Sequence, residues 1–246
     1  MNSITKPNLL PIELQEFSAE PLSLPFTIEV VRDQAMLEQC IALRHEAYTR
    51  HSPELGRLFA APEAADFDPA YTNLVARSKL SGDLMAAVRV EIRDQSALGF
   101  ESSFEIPKAL KTGPLAEISR LAVADRVGYS PRLMMIKAAY WFCRSQGVVR
   151  HFITARSPAD RMYRRFEMFD LVPNQGMVPI QTIGNVPHRI MWIDVFEISS
   201  RWSSSGNPLL TPIFLQSHPE ILDDLQARTV QRELQEFHST HALKGA

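Results

Sequence analysis

The sequence predicts an α+β fold: one mixed, mostly antiparallel sheet with helices on both faces. Three observations carry that expectation. Short apolar runs bounded by Gly, Pro, Ser and Asp recur as strands, and the longer periodic segments open on Asp or Ser-Pro signals that start helices. Their order is strand, helix, several strands with short connections, then strand, helix, strand, helix, strand. The 246 residues, 45% hydrophobic and 22% charged, suffice to bury one sizeable core with extensions at both ends.

Taken in order, Met1 to Pro25 hold four prolines and no clean period, so they read as an extended arm. Phe26 to Arg32 alternates as a first strand, and Asp33 can cap a helix from about Gln34 to His51. On it Leu37, Ile41, Arg44 and Tyr48 share one stripe, where an arginine either snorkels from the edge or has a buried partner. Ser52 to Pro69 turns to Pro, Ala and acid, and Asp66-Phe67-Asp68-Pro69 reads as a loop entering a strand. Tyr71 to Lys79 and Leu84 to Arg93 form a hairpin around Ser81-Gly82-Asp83, with Arg89 sharing a face with Met85, Ala87 and Glu91. Phe104 to Leu110 reads as a short helix or turn, and Leu115 to Val123 as the next strand.

Ser130-Pro131 and Ser157-Pro158 each place a capping hydroxyl before a proline at the first helical position. They predict one helix to about Ser145, stopped by Gly147, and another from Ala159 to Phe169, where Asp160 adds a first-turn acid. Val148 to Ala155 is the strand between them, and Arg189 to Ile198 the last strand. Ser199 to Leu215 then reads as linker and Pro219 to His238 as a polar helix. The expected division is an arm over 1–25, a domain over 26–198, and linker plus helix over 199–246.

Chemistry concentrates on Leu115 to Val123, because Glu117 and Arg120 are costly in a central strand unless paired or used. Regular alternation sends the two to opposite faces. For both to serve one site, the strand must bulge between Ala116 and Leu121, and the strand Val148 to Ala155 must diverge from it there. Cys40 and Cys143 lie far apart among apolar residues and read as core in a reducing compartment. His45 and His151 read as satisfied structural histidines, since neither adjoins a nucleophile or metal motif. Walker loops, Gly-x-Gly-x-x-Gly and zinc-ligand pairs are missing, and no apolar run reaches the length of a membrane span, so a cytoplasmic protein is expected. The formal charge of −2 disfavours a general nucleic-acid binder, yet Arg120 to Arg165 holds ten Lys or Arg against Asp125 and Asp160. That excess is either a set of solvated helix faces or a docking patch for an acidic partner.

The Arg44-x-x-x-Tyr48 helix, the Asp66 and Asp68 loop, Arg89, Phe104 and Glu117-Ile-Ser-Arg120-Leu-Ala-Val together resemble a known family. They are similar to the acyl-homoserine-lactone synthases and, more closely, to the long-chain N-acyl amino acid synthases, over roughly Ile28 to Val195. The resemblance implies a GNAT-like acyltransferase fold and transfer of a long fatty acyl group to the amine of an amino acid. It further implies catalytic roles for Glu117 and Arg120, and substrate binding by Arg44, Tyr48, Asp66, Asp68, Arg89, Phe104 and Ser119. Arg44, Arg89 and Arg120 would face Asp66, Asp68 and Glu117 in a six-charge network, either structural or catalytic.

Two departures refine this. The lactone synthases carry a tryptophan shortly after the helix aromatic, and Ser52 to Phe59 has none, which shifts the expectation from S-adenosylmethionine to an amino acid. The glycine-rich pyrophosphate loop of ordinary acetyltransferases is also missing, because Tyr129 and Pro131 stand where its glycines belong. The expected donor is therefore the phosphopantetheine of acyl carrier protein, with no other cofactor, docking on Arg126, Arg132, Lys137, Arg156, Arg161, Arg164 and Arg165. Met134, Met135, Trp141 and Phe152 would line the acyl slot or be ordinary core. The alternatives are an acyl-homoserine-lactone synthase and a catalytically silent acyl-binding module.

Overall fold

The structure is a computed structural model and describes residues 20–173 and 176–221. The chain order is β1 (Phe26–Val30), α1 (Gln34–His51), α2 (Pro53–Leu58), β2 (Tyr71–Ser78), β3 (Leu84–Arg93), β4 (Leu115–Val123), α3 (Tyr129–Ser145), β5 (Arg150–Ala155), α4 (Ala159–Arg165), β6 (Phe169–Asp170), β7 (Val178–Ile180), β8 (Val186–Asp194) and α5 (Ile198–Ser205). The strands form one mixed sheet in the order β1-β2-β3-β4-β5-β8-β6, with β7 pairing beside β8. Among the described strands only the central pair β4–β5 is parallel, because α3 carries the chain across between them.

Helix α1 starts where the sequence places it: the Asp33 carboxylate accepts from the Met36 N–H at 2.8 Å. The two Ser-Pro starts are different. Helix α3 begins at Tyr129 after Gly128, with no side-chain cap, and Pro131 sits inside the first turn, where a missing N–H costs nothing. Helix α4 begins after Pro158, also uncapped by a side chain, and ends at Arg165. Phe169, expected at the end of that helix, instead opens the short strand β6 beside β8.

One sheet face packs α3 and α5 over Val88, Val90, Ala116, Ile153 and Met191. The opposite face packs α1 over Val75, Ala87 and Ala122, and α2 with Phe100 over Leu115, Phe152 and Ile190. The stretch Ser199 to Leu215, read as linker, is folded into the first of these layers. Helix α5 buries Ile198 and Trp202, and a π-helical turn over Thr211–Leu215 buries Ile213 and Phe214. Its many serines hid a stripe of large apolar residues, each worth about 2 kcal/mol when buried. At the other edge Leu24 is buried, and Ile28 bridges to Ile221, so part of the expected arm belongs to the core. Most of the expected helix from Pro219 to His238 lies outside the described residues.

Candidate active site

The strand that carries Glu117 and Arg120 is irregular where alternation requires. Against β3 the register runs Arg89↔Ser119 and then Ala87↔Ala122, so β4 holds one extra residue there. Arg120 takes up the excess with a φ of +56°, a left-handed conformation that costs about 1–2 kcal/mol for an L-residue. Pairing of β4 with β5 stops at Ile118↔Ile153, whereas β5 continues against β8 to Ala155. The two central strands thus part at the bulge, and Arg120 joins Glu117 on the α1 face.

There Arg120 donates from Nε and Nη2 to both Glu63 oxygens, at 3.0 and 2.8 Å, and its guanidinium lies over the Phe59 ring at 4.4 Å. Arg44 grips Asp66 with two bonds of 3.0 and 2.7 Å, and Arg89 bridges Glu63 at 3.0 Å and Asp66 at 3.3 Å. Arg44 and Arg89 are buried, and the Asp66 carboxylate is fully so. Burial pulls Asp66 upward, but its bonds from Arg44 and the Glu63 N–H win and hold it at about 2. Tyr48 packs edge-on against Phe59 at 4.8 Å, its hydroxyl raised in pKa by burial beside Arg120.

The network therefore differs from the expected six charges. Glu63 is its hub, and the sequence reading missed it. The available signal was the spacing Glu63-x-x-Asp66: on the 3₁₀ turn Ala64–Asp66 residues three apart eclipse, which aims both acids at the arginines. Asp68 stands outside, paired with Arg93 at 3.0 Å, because two further residues turn it away from that aligned pair. Glu117 also stands outside, and it makes no ion pair among the described residues. It accepts from the Thr154 hydroxyl at 3.3 Å and lies beside Glu91, its register partner on β3. Glu91, also missed, is held by Arg93 Nε at 2.8 Å and the Gly99 N–H at 2.9 Å. A Cβ on Gly99 would stand 3.3 Å from Glu91 Oε2 and 3.7 Å from Glu117 Oε2, so the Gly99–Ser102 turn closes directly over both carboxylates. Burial, with a smaller push from Glu91, raises Glu117 to about 7 against the pull of Arg120. Ser119 is partly exposed at the bulge, and Phe104 packs near Phe100 and Phe152.

On the α3 face a narrow apolar cavity opens at the parting of the strands, lined there by Ile118 and Leu121 of β4 and Ile153 of β5. Deeper walls come from Ile136 and Tyr140 of α3, Trp202 of α5 and Phe214. The expected acyl-slot residues are elsewhere. Met134, Met135 and Trp141 are core residues on other sides of α3, which buries nearly its whole circumference, so its apolar content could not single out the cavity side. Phe152 lies on the opposite sheet face, against Phe100 at 5.7 Å. Of the expected docking residues, Arg126, Arg132, Arg161, Arg164 and Arg165 are exposed near the ends of β4 and β5, and Arg156 is half-buried, donating to the His51 carbonyl at 3.1 Å. Lys137 is not on that surface. It is buried, its ammonium donates to the carbonyls of Pro212, at 3.0 Å, and Gln216, and burial lowers it to about 7.

Residues 39–194 match the family model described as N-acyl amino acid synthase FeeM. The fold resembles the structure of FeeM, an N-acyl amino acid synthase from uncultured soil microbes, at 12% identity and a TM-score of 0.56, covering 71% of this chain and 93% of that one. It also resembles BjaI, a CoA-dependent acyl-homoserine lactone synthase, at 18% identity and a TM-score of 0.53, covering 84% and 98%. Among curated protein sequences, none matches the chain.

Proposed function

Because the chain belongs to the FeeM family of N-acyl amino acid synthases and is an acyltransferase, we propose that it moves a long-chain fatty acyl group from acyl carrier protein to the amino group of an amino acid. The observation that carries the reading is the placement of Glu117. A carboxylate poised near neutrality stands at the parting of β4 and β5, with a charged network on one sheet face and an apolar cavity on the other. The amino acid nitrogen attacks the thioester carbonyl carbon while Glu117 takes its proton, directly or through a water. The C–N bond forms, the C–S bond breaks, and the phosphopantetheine thiolate leaves and is protonated. The β4 backbone beyond Ile118, no longer paired with β5, offers N–H groups to the developing oxyanion. Arg120 fixes the bulge that exposes them, locked by Glu63 and Phe59. The acyl chain occupies the apolar cavity, which is narrow, so the chain enters as lining side chains turn.

A carrier-protein donor is supported by the exposed Arg126, Arg132, Arg161, Arg164 and Arg165 beside the cleft mouth and by the missing pyrophosphate loop. The test is mass spectrometry of lipids from cells expressing the chain, together with purified donors at rising salt. An N-acyl amino acid is expected, with acyl carrier protein used far better than acyl-CoA and increasingly poorly as salt rises. Reversing Arg126 and Arg132 to Glu should raise KM for the carrier protein and leave kcat alone. Equal use of acyl-CoA at every salt concentration overturns the donor assignment, and no N-acyl product overturns the reaction.

A further inference from the structure

His151 stands in a cavity wall that is otherwise aliphatic and aromatic, in which Tyr140, Tyr163 and Trp202 carry the other polar atoms. It sits on β5 between Ala116 of β4 and Ile193 of β8, and only 6% of its surface is exposed. Its Nδ1 is fully buried and has no hydrogen-bond partner among the described residues. The nearest aromatic, Tyr140, meets it edge-on at 6.4 Å but sends its hydroxyl to the Val195 carbonyl at 2.5 Å. Beyond Tyr140, the cavity around the imidazole is closed by Ile193, Ile198, Trp202 and Phe214.

A buried polar group without a partner costs stability, so its presence in a working cavity calls for an occupant that supplies the missing bond. Burial pushes the imidazole down to about 3, leaving it neutral at physiological pH with one N–H and one lone pair to offer. Its depth follows from the register. His151 pairs with Ala116, two residues inside the last β4–β5 pair Ile118↔Ile153. Two residues of parallel strand span about 7 Å, the length of roughly five carbon–carbon steps in an extended chain.

We propose that His151 is a specificity residue that selects fatty acyl groups bearing a hydroxyl or keto oxygen near the middle of the chain, around the sixth carbon from the thioester. The inference rests on the acyl chain occupying this cavity, as proposed above. A hydroxyl suits the imidazole best, because it can accept from the N–H or donate to the lone pair, whereas a ketone can only accept.

The experiment compares tetradecanoyl donors that are plain or hydroxylated at the third, sixth or tenth carbon, in the wild type, His151→Leu and His151→Gln. Wild type should favour the sixth-carbon hydroxyl over the plain chain by about tenfold in kcat/KM, the size of one neutral hydrogen bond. His151→Leu should lose that preference, so that the ratio of kcat/KM for the sixth-carbon hydroxyl to that for the plain chain falls to about one, and His151→Gln, which keeps a donor and an acceptor, should retain part of it. The matching free fatty acids, titrated against the fluorescence of Trp202 in the cavity wall, should show the same ranking without any chemistry. Normal turnover with no hydroxyl preference, a preference only at the third carbon, or an equal preference in His151→Leu overturns the role of His151 and leaves acyl transfer standing. Failure of all donors to react removes acyl transfer itself, and unranked binding then removes His151 with it.

Discussion

Replacing Glu117 by Gln separates a catalytic carboxylate from a structural one, because the structure assigns opposite consequences to the two roles. With its pKa at about 7, the Glu117 carboxyl is about one-tenth ionised at pH 6 and about nine-tenths at pH 8, so a base at this position makes kcat/KM rise with unit slope below pH 7 and level off above it. The Gln variant should lose that limb and about 10²-fold or more in rate at pH 8, and the deficit should shrink at higher pH as the substrate amine deprotonates unaided. Stability runs the other way. The folded-state pKa is raised from 4.5 to about 7, so the native state binds the extra proton, and stability falls as pH rises from about 4.5 through 7. The full difference is about 3 kcal/mol, the cost of keeping Glu117 ionised among Glu91, Phe152 and the Gly99 turn. Glutamine avoids that cost and gives up only the weak bond from Thr154. At pH 8.5 the variant should melt several degrees above the wild type, and the two should converge near pH 5. Stopped-flow thiol release and thermal melts across that range measure both effects. A variant that melts lower at pH 8.5 and keeps near-normal turnover refutes the base and makes Glu117 a strut.

Asp66→Asn removes a fully buried carboxylate from between Arg44 and Arg89, leaving these two desolvated cations to share Glu63 with Arg120, and should cost about 3–5 kcal/mol in denaturant unfolding. In the wild type the contribution of Asp66 should be complete above about pH 4 and lost as pH falls through about 2, since its folded pKa is lowered; a variant as stable as wild type at pH 7 contradicts the network. Ile193→Phe fills the deep end of the cavity beside His151 and should shorten the acyl chains of the product, read by mass spectrometry; an unchanged chain-length profile removes the cavity as the acyl site.

Local rules in the sequence determined the scaffold. Asp33 fixed the start of α1, Gly147 in a left-handed conformation stopped α3, and alternation set the hairpin and the limits of β4. Alternation also required a bulge if Glu117 and Arg120 were to share a site, because a period of two leaves no other way to bring them together. The Arg44 position on an apolar stripe left snorkelling and a buried partner both open, and Asp66 decided for the partner. What remained hidden depended on contacts between segments distant in sequence. Glu63 could not be ranked above Asp68 until the 3₁₀ turn set which acids faced β3 and β4. Glu91 acquired meaning only from the Gly99 turn folding over it, and Met134 and Trp141 were indistinguishable from Ile136 and Tyr140 because apolar residues surround nearly the whole of α3. Trp202 and Phe214 gave a serine-rich stretch enough buried area to join the core. Tertiary structure decided these cases because hydrophobicity and charge specify which residues must be covered or paired, whereas only the packed chain specifies by what.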